Sequence, residues 1–258
     1  MSTTLTHSWY MTRRHMRNLS RQPWWIAITL VQPIVWLLLY GALFRKIVEI
    51  PGFRAGSYID FLTPGIVVMT AFFAAGWSGM GVIDDLNRGV VDRFLVTPVS
   101  RTALIAGRLI QGAAVAVIQS AIIIALGFLL GGHFPGGAAG LAALVVCAVL
   151  LGTGVGALST ALALLLRKEE SVIAASNFVL LPLTFLSAVF MQEDLTPPWI
   201  QHVARFNPVN WAVQAGREAL QANPDWGLVF FRMAYLLAFM LVCGWLATRA
   251  FRAYQRSV

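Results

Sequence analysis

Six apolar stretches, almost free of charge, set the terms for what this chain can fold into. They cover residues 24–44, 58–83, 103–131, 138–166, 172–191 and 228–248. A bilayer core is about 30 Å thick, so a helix needs about 20 apolar residues to cross it. Each stretch is long enough. A helix in a soluble domain keeps one polar face, and a soluble surface does not carry apolar patches of this extent. The expectation is an all-α polytopic membrane protein with six transmembrane helices. Hydrophobic residues make up 58% of the chain and charged residues 12%, about half the usual charged share of a soluble domain. Six spans and their connections use nearly all 258 residues. Residues 1–258 therefore read as one membrane domain, without a separate soluble catalytic unit.

Charge orients the spans. Cytoplasmic segments carry an excess of Lys and Arg. With the N-terminus inside, the inner segments hold Arg13, Arg14, Arg17, Arg21, Arg88, Arg93, Arg101, Arg108, Arg167, Lys168, Arg249, Arg252 and Arg256. The outer segments hold Arg45, Lys46, Arg54, Arg205, Arg217 and Arg232. Both termini are expected in the cytoplasm. The formal charge of +8 reflects this asymmetry. No basic stripe with interleaved stacking aromatics lies outside the spans, so nucleic acid is not an expected partner.

The segments between spans carry further signals. Before the first span, Trp9, Met16 and Leu19 interleave with Arg13, Arg14 and Arg17. That pattern fits an amphipathic helix lying in the inner membrane interface. The first apolar run is too long for a signal-peptide core and lacks a cleavage site, so it is read as a retained span. The inner loop 84–108 mixes Asp84, Asp85, Arg88, Asp92, Arg93, Arg101 and Arg108 with Phe94, Leu95 and Val96. It is far longer than a simple connector and should contain a short helix ending near Pro98. Its apolar side packs either on the protein's own helix ends or on a cytoplasmic partner. The outer loop 192–227 holds Pro197-Pro198-Trp199 and then Asn207-Pro208, a helix-start signal. Two short helices are expected there, forming a re-entrant outer hairpin before the last span, supported by protein or a polar cavity.

Much familiar chemistry is missing from the sequence. There is no G-x-x-x-x-G-K-[ST] phosphate loop and no H-E-x-x-H. Gly76-Trp77-Ser78-Gly79 resembles the serine motif of intramembrane proteases, which need a histidine on a later span, but His7, His15, His133 and His202 all lie outside the spans. Close helix packing through small residues explains the glycines better, as it does Gly127/Gly131 and Gly152, Gly154 and Gly156. Cys147 and Cys243 sit inside spans and read as small core residues. No charge lies near the centre of a span, which disfavours ion or proton pathways. The mild polar residues there, among them Thr29, Gln32, Thr70, Gln119 and Thr184, read as interhelical hydrogen-bonding groups. A pathway through the protein would then be largely apolar and suit a hydrophobic or amphiphilic substrate. No catalytic or metal-binding residue is expected.

Two segments resemble a known family. Residues 87–101, Asn-Arg-Gly-Val-Val-Asp-Arg-Phe-Leu-Val-Thr-Pro-Val-Ser-Arg, are similar to the cytoplasmic signature of type-2 ATP-binding-cassette (ABC) export permeases. So are Phe185-Leu186-Ser187-Ala188-Val189-Phe190, Pro198-Trp199, Asn207-Pro208 and Arg217-Glu218-Ala219-Leu220 to the family's outer-loop pattern. Within that family the resemblance is to drug-resistance permeases of the daunorubicin type and their polysaccharide- and lipid-export relatives. The resemblance implies a prokaryotic inner-membrane subunit of an ATP-driven exporter, with a second permease copy and two copies of a separate ATPase chain. ATP and magnesium would bind that partner. Arg88, Gly89, Asp92, Arg93, Phe94, Leu95, Thr97 and Pro98 would form the coupling element to the ATPase. Phe72, Phe73 and Trp77 of the second span and Asn177, Leu181 and Phe185 of the fifth would line a substrate cavity. The alternative is a stand-alone carrier or a membrane-embedded lipid-modifying enzyme.

Overall fold

The computed structural model describes residues 23–50, 53, 55–88 and 101–255. Among these the chain is helical with no strand. Helix α1 covers Pro23–Leu43 and leads into a 3₁₀ turn, Arg45–Glu49. Helix α2, Tyr58–Gly76, starts at Ser57, whose hydroxyl accepts the Ile59 N–H at 3.2 Å. A 3₁₀ turn, Trp77–Gly79, joins it to α3, Met80–Asn87. Then follow α4 (Arg101–Leu129), α5 (Gly137–Leu166) and α6 (Glu169–Phe185). Two short helices, α7 (Pro198–Ala204) and α8 (Pro208–Ala219), precede the last, α9 (Trp226–Gln255).

Four helical segments are long and apolar enough to cross a bilayer: Tyr58–Asn87, Gly107–Leu129, Gly137–Leu166 and Trp226–Tyr254. Helix α1 offers a shorter apolar stretch, Ala27–Leu43, and α6 has 17 residues. The interfacial helix expected before the first span, and the short helix expected near Pro98, fall outside the described residues.

Helix α5 is the centre of the bundle and packs on α9, α2, α8 and α4. Its glycines explain why. Between helices in lipid the association rests on close van der Waals contact, and small residues let backbones approach. A Cβ on Gly152 would meet the Ala71 carbonyl at 3.3 Å, and one on Gly156 the Ser78 hydroxyl at 3.3 Å. Gly154 faces the other way, against the Phe239 ring at 2.8 Å. Gly140 lets the α8 backbone lie directly on α5, since a Cβ there would run into the Ala219 carbonyl. The Gly127/Gly131 pair divides its labour. Gly127 packs against Thr63, whereas Gly131 has φ +86° and makes the turn after α4, a conformation that favours glycine.

The fifth apolar stretch does not stay helical to its end. Helix α6 stops at Phe185, and its last turn closes with Leu186 N–H donating to the Pro182 carbonyl at 2.8 Å. Residues 186–190 then run without a helical ladder of their own, and α8 supplies the missing partners. The Asn207 amide donates to the carbonyls of Leu183 and Leu186 at 2.6 and 2.8 Å. Asn210 accepts the Ala188 N–H at 3.0 Å. Asn207 also caps α8 by accepting the Val209 N–H at 2.9 Å, as an Asn at that position should.

Candidate functional site

The described residues enclose a cavity of about 200 Å³ between α1, α2 and α6. Thr29, Gln32, Pro33 and Trp36 line it from α1, and Met69, Thr70, Phe73, Ala74 and Trp77 from α2 and its 3₁₀ turn. Leu181, Thr184 and Phe185 contribute from α6, and Phe190 from the segment beyond it. None of these wall residues is charged. The Thr70 and Thr184 hydroxyls donate to carbonyls one turn back in their own helices, at 2.7 and 2.8 Å. Their lone pairs alone remain for a ligand. Thr29 accepts from the Gln119 amide of α4 at 3.0 Å.

Aromatic rings dominate the end of the cavity formed by Trp36 and Phe190. Trp36 stacks on Tyr40 with centroids 4.9 Å apart, and Phe190 lies 5.1 Å from Trp36, 5.2 Å from Tyr40 and 6.1 Å from Phe185. The ladder continues through Phe44 to Tyr58 and Phe53. The cavity opens sideways. Phe185 and Leu181 line it, yet remain 60% and 45% exposed, and the neighbouring Phe178 is 82% exposed. On α1, Ile28, Val31, Leu39 and Leu43 are exposed as well. This apolar surface calls for lipid or another apolar partner.

Four of the six residues expected in a cavity meet there: Phe73, Trp77, Leu181 and Phe185. Phe72 does not. It is fully buried on the other side of α2, edge-on to Phe73 at 6.0 Å. Its side chain points about 100° round the helix from Phe73, away from the face that Met69, Thr70, Phe73, Ala74 and Trp77 turn to the cavity. Asn177 is half-buried, one turn beyond the cavity's reach. Sequence reasoning missed Trp36, Met69 and Phe190 as cavity residues. Thr29, Gln32 and Trp36 stand at i, i+3 and i+7, a single helical face; that spacing was the available signal.

Of the residues expected to couple to an ATPase, only Arg88 lies among those described. It pairs with Asp84 at 2.9 Å on the exposed side of α3. Gly89, Asp92, Arg93, Phe94, Leu95, Thr97 and Pro98 lie outside the described residues. The two ends of that loop are joined all the same. Arg108 of α4 pairs with Asp85 of α3 and also donates to the Gly81 carbonyl at 3.0 Å.

The 3₁₀ turn at Trp77–Gly79 connects this end of the molecule to the cavity. Its freed backbone groups are met by neighbouring helices. Ser159 of α5 donates to the Gly76 carbonyl at 2.6 Å and accepts the Gly79 N–H at 3.0 Å, while Ser176 of α6 also reaches the Gly76 carbonyl at 3.3 Å. Ser78 donates to the Gly156 carbonyl at 3.3 Å. These contacts make Gly76–Gly79 a packed joint between helices. A mid-helix 3₁₀ stretch often marks a hinge.

Helix α8 holds a half-buried cation. Arg217 of α8 donates to the carbonyls of Phe61, Ala188 and Val189, and its guanidinium lies 3.5 Å from the Phe61 ring centroid. Among the described residues no cluster of His, Cys, Asp and Glu could hold a metal ion, and both cysteines are free and buried.

Residues 6–221 match the ABC-2 type transporter family. The chain belongs to that family. Its relatives are membrane transport permeases. It is 30% identical to the daunorubicin resistance ABC transporter permease protein DrrB1 of Streptomyces coeruleorubidus, over 92% of this chain and 83% of the relative. It is 30% identical to the putative transport permease ycf38 of Porphyra purpurea, over 84% and 74%. It is 26% identical to the inner membrane transport permease YadH of Escherichia coli, over 83% and 85%.

Proposed function

We propose that this chain is the membrane-spanning subunit of an ATP-driven exporter that moves a hydrophobic or amphiphilic substrate, such as a drug, lipid or glycoconjugate. The observation carrying this reading is the charge-free aromatic cavity between α1, α2 and α6, open sideways along exposed apolar faces. Such a wall has low affinity for ions and high affinity for apolar or planar molecules. A second copy of the chain, seated against α1 and α6, would close the cavity around its cargo. In this reading α1 and α6 also span the bilayer, giving six spans. Both termini face the cytoplasm of a prokaryotic cell, and the α7–α8 hairpin re-enters the outer leaflet.

In this reading ATP and magnesium bind a separate ATPase chain. Residues 88–98 are the docking element for that chain, with Arg93, Phe94, Leu95 and Pro98 making the contact. The Asp85–Arg108 pair holds the loop's two ends together, and α3 carries its displacement to the joint at Trp77–Gly79. Because Trp77 belongs both to that joint and to the cavity wall, a shift of α3 alters the cavity directly. The population of each state must follow from contacts that differ between them. Affinity purification of the tagged chain tests the assembly: a P-loop ATPase should co-purify at equal stoichiometry. A monodisperse, active permease with no ATPase attached would argue for a stand-alone carrier.

A further inference from the structure

Arg217 is a half-buried cation held, among the described residues, by backbone oxygens instead of a carboxylate. Among the described residues its donors go to the carbonyls of Phe61, Ala188 and Val189. Even partial burial of a guanidinium without a counterion is costly. A role limited to gluing two helices would be met more cheaply by apolar packing. The carbonyls it holds are also unusual. Ala188 and Val189 lie past the end of α6, where the backbone lacks a helical ladder. Gly65 of α2 lets this segment come close, since a Cβ there would fall 2.7 Å from the Val189 carbonyl. Tyr58 donates to the next carbonyl, that of Phe190, at 3.1 Å. The Phe190 side chain is a wall of the cavity and stands against Trp36 and Tyr40.

From this geometry we infer that Arg217 is the positioning residue of the cavity wall at Phe190. It pins residues 188 and 189, and so holds Phe190 across the cavity; releasing that pin opens the cavity at that end. The segment suits this because side chains from α2 and α8, and no continuous helix, fix its backbone. Separate side-chain contacts can exchange one after another, whereas a helical turn forms and melts cooperatively. Arginine suits the task because its rigid fork reaches several acceptors at once, which a lysine ammonium on a flexible stem does not. The inference rests on reading the cavity as the substrate path, but its test does not require transport.

The reporter is Val189→Cys, close in size to the native side chain and fully buried. The native Cys147 of α5, equally buried, serves as an internal control for general loosening. All three thiols, Cys243 included, are labelled with a small maleimide in the purified full-length chain in lipid nanodiscs, without nucleotide, and quantified peptide by peptide. In the Val189→Cys background, Arg217→Lys should raise labelling at position 189 about tenfold, as expected for ~1.4 kcal/mol removed from the latch, and leave Cys147 unchanged. Unchanged labelling at position 189, or Cys147 rising in parallel, overturns the inference. If Arg217→Lys does not yield folded protein, Tyr58→Phe removes one bond to the same segment and should act in the same direction by a smaller factor; no change there also overturns it. A chain that shows the labelling contrast but exports nothing sinks the exporter reading alone. An exporter without the contrast sinks the role of Arg217 alone.

Discussion

Gly79→Ala should damage this protein by an amount that can be worked out atom by atom. Gly79 ends the 3₁₀ turn with φ −60° and ψ −28°, a conformation any residue adopts, so backbone strain contributes nothing. The cost comes from what the new methyl would meet. A Cβ there lies 2.6 Å from both the carbonyl oxygen and the hydroxyl of Ser159. One of those atoms is backbone in the middle of α5, which cannot swing away. Overpacking of this kind costs about 1–3 kcal/mol. Displacing Ser159 also breaks its bonds to Gly79 N–H and the Gly76 carbonyl, and a buried group left unpaired costs roughly 1–3 kcal/mol. Alanine's better helix propensity returns only about 0.5–1 kcal/mol. The net expectation is a loss of about 3 kcal/mol, combining the overpacking and unpaired-group costs. The assay is thermal or denaturant unfolding of the purified protein in detergent, beside Gly112→Ala. That site in α4 has nothing within 4 Å of its Cβ, so the control should be neutral or slightly stabilising. Ser159→Ala removes only one of the two clashing atoms, so the double variant should be partly rescued relative to additivity. Equal midpoints for Gly79→Ala and Gly112→Ala would refute the packed-joint account.

Other expectations follow from the same structure. Phe94→Asp or Leu95→Asp should abolish cargo-stimulated ATPase activity of the assembled complex while the permease keeps its gel-filtration profile and melting midpoint. Asp85→Asn should cost at most about 1 kcal/mol of stability, because the pair is partly solvated, but should lower coupled ATPase turnover; a double-mutant cycle with Arg108→Gln isolates the pair. Gln119→Leu removes a bond to Thr29 together with an oxygen, Oε1, that has no partner among the described residues, so its melting midpoint should move little, within about 1 kcal/mol of wild type. Phe190→Ala and Phe185→Ala should weaken binding of a planar lipophilic dye, measured by fluorescence in nanodiscs, more than Phe72→Ala does in any variant that folds.

Hydropathy made the long helices legible because a bilayer demands length and apolarity before anything else. The asymmetry of Asn207-Pro208 was equally readable, since a capping side chain and a ring without N–H both belong at a helix start. The end of the fifth stretch was not. Leu186, Ala188, Val189 and Phe190 are as apolar as the residues before them, and nothing in their own pattern stops a helix. What stops it lies some 20 to 30 residues away, in the amides and guanidinium of Asn207, Asn210 and Arg217. The cavity was half legible for a related reason. A helix that is apolar all round has no preferred face, so composition could propose Phe72 and Phe73 together but could not fix the rotation that sets only Phe73 inward. Arg217 was visible as part of a motif and as an outer-segment charge; its carbonyl partners depend on how the chain folds back.

In the proposed mechanism this permease carries cargo only when a separate ATPase drives it through residues 88–98. Transport of a fluorescent lipophilic dye in proteoliposomes tests that most directly, with the permease alone and with the co-purified ATPase plus ATP and magnesium. Transport should require the ATPase and hydrolysable ATP, and Phe94→Asp should bring it to the level of empty vesicles. Full-rate transport by the permease alone, without nucleotide, would contradict the claim.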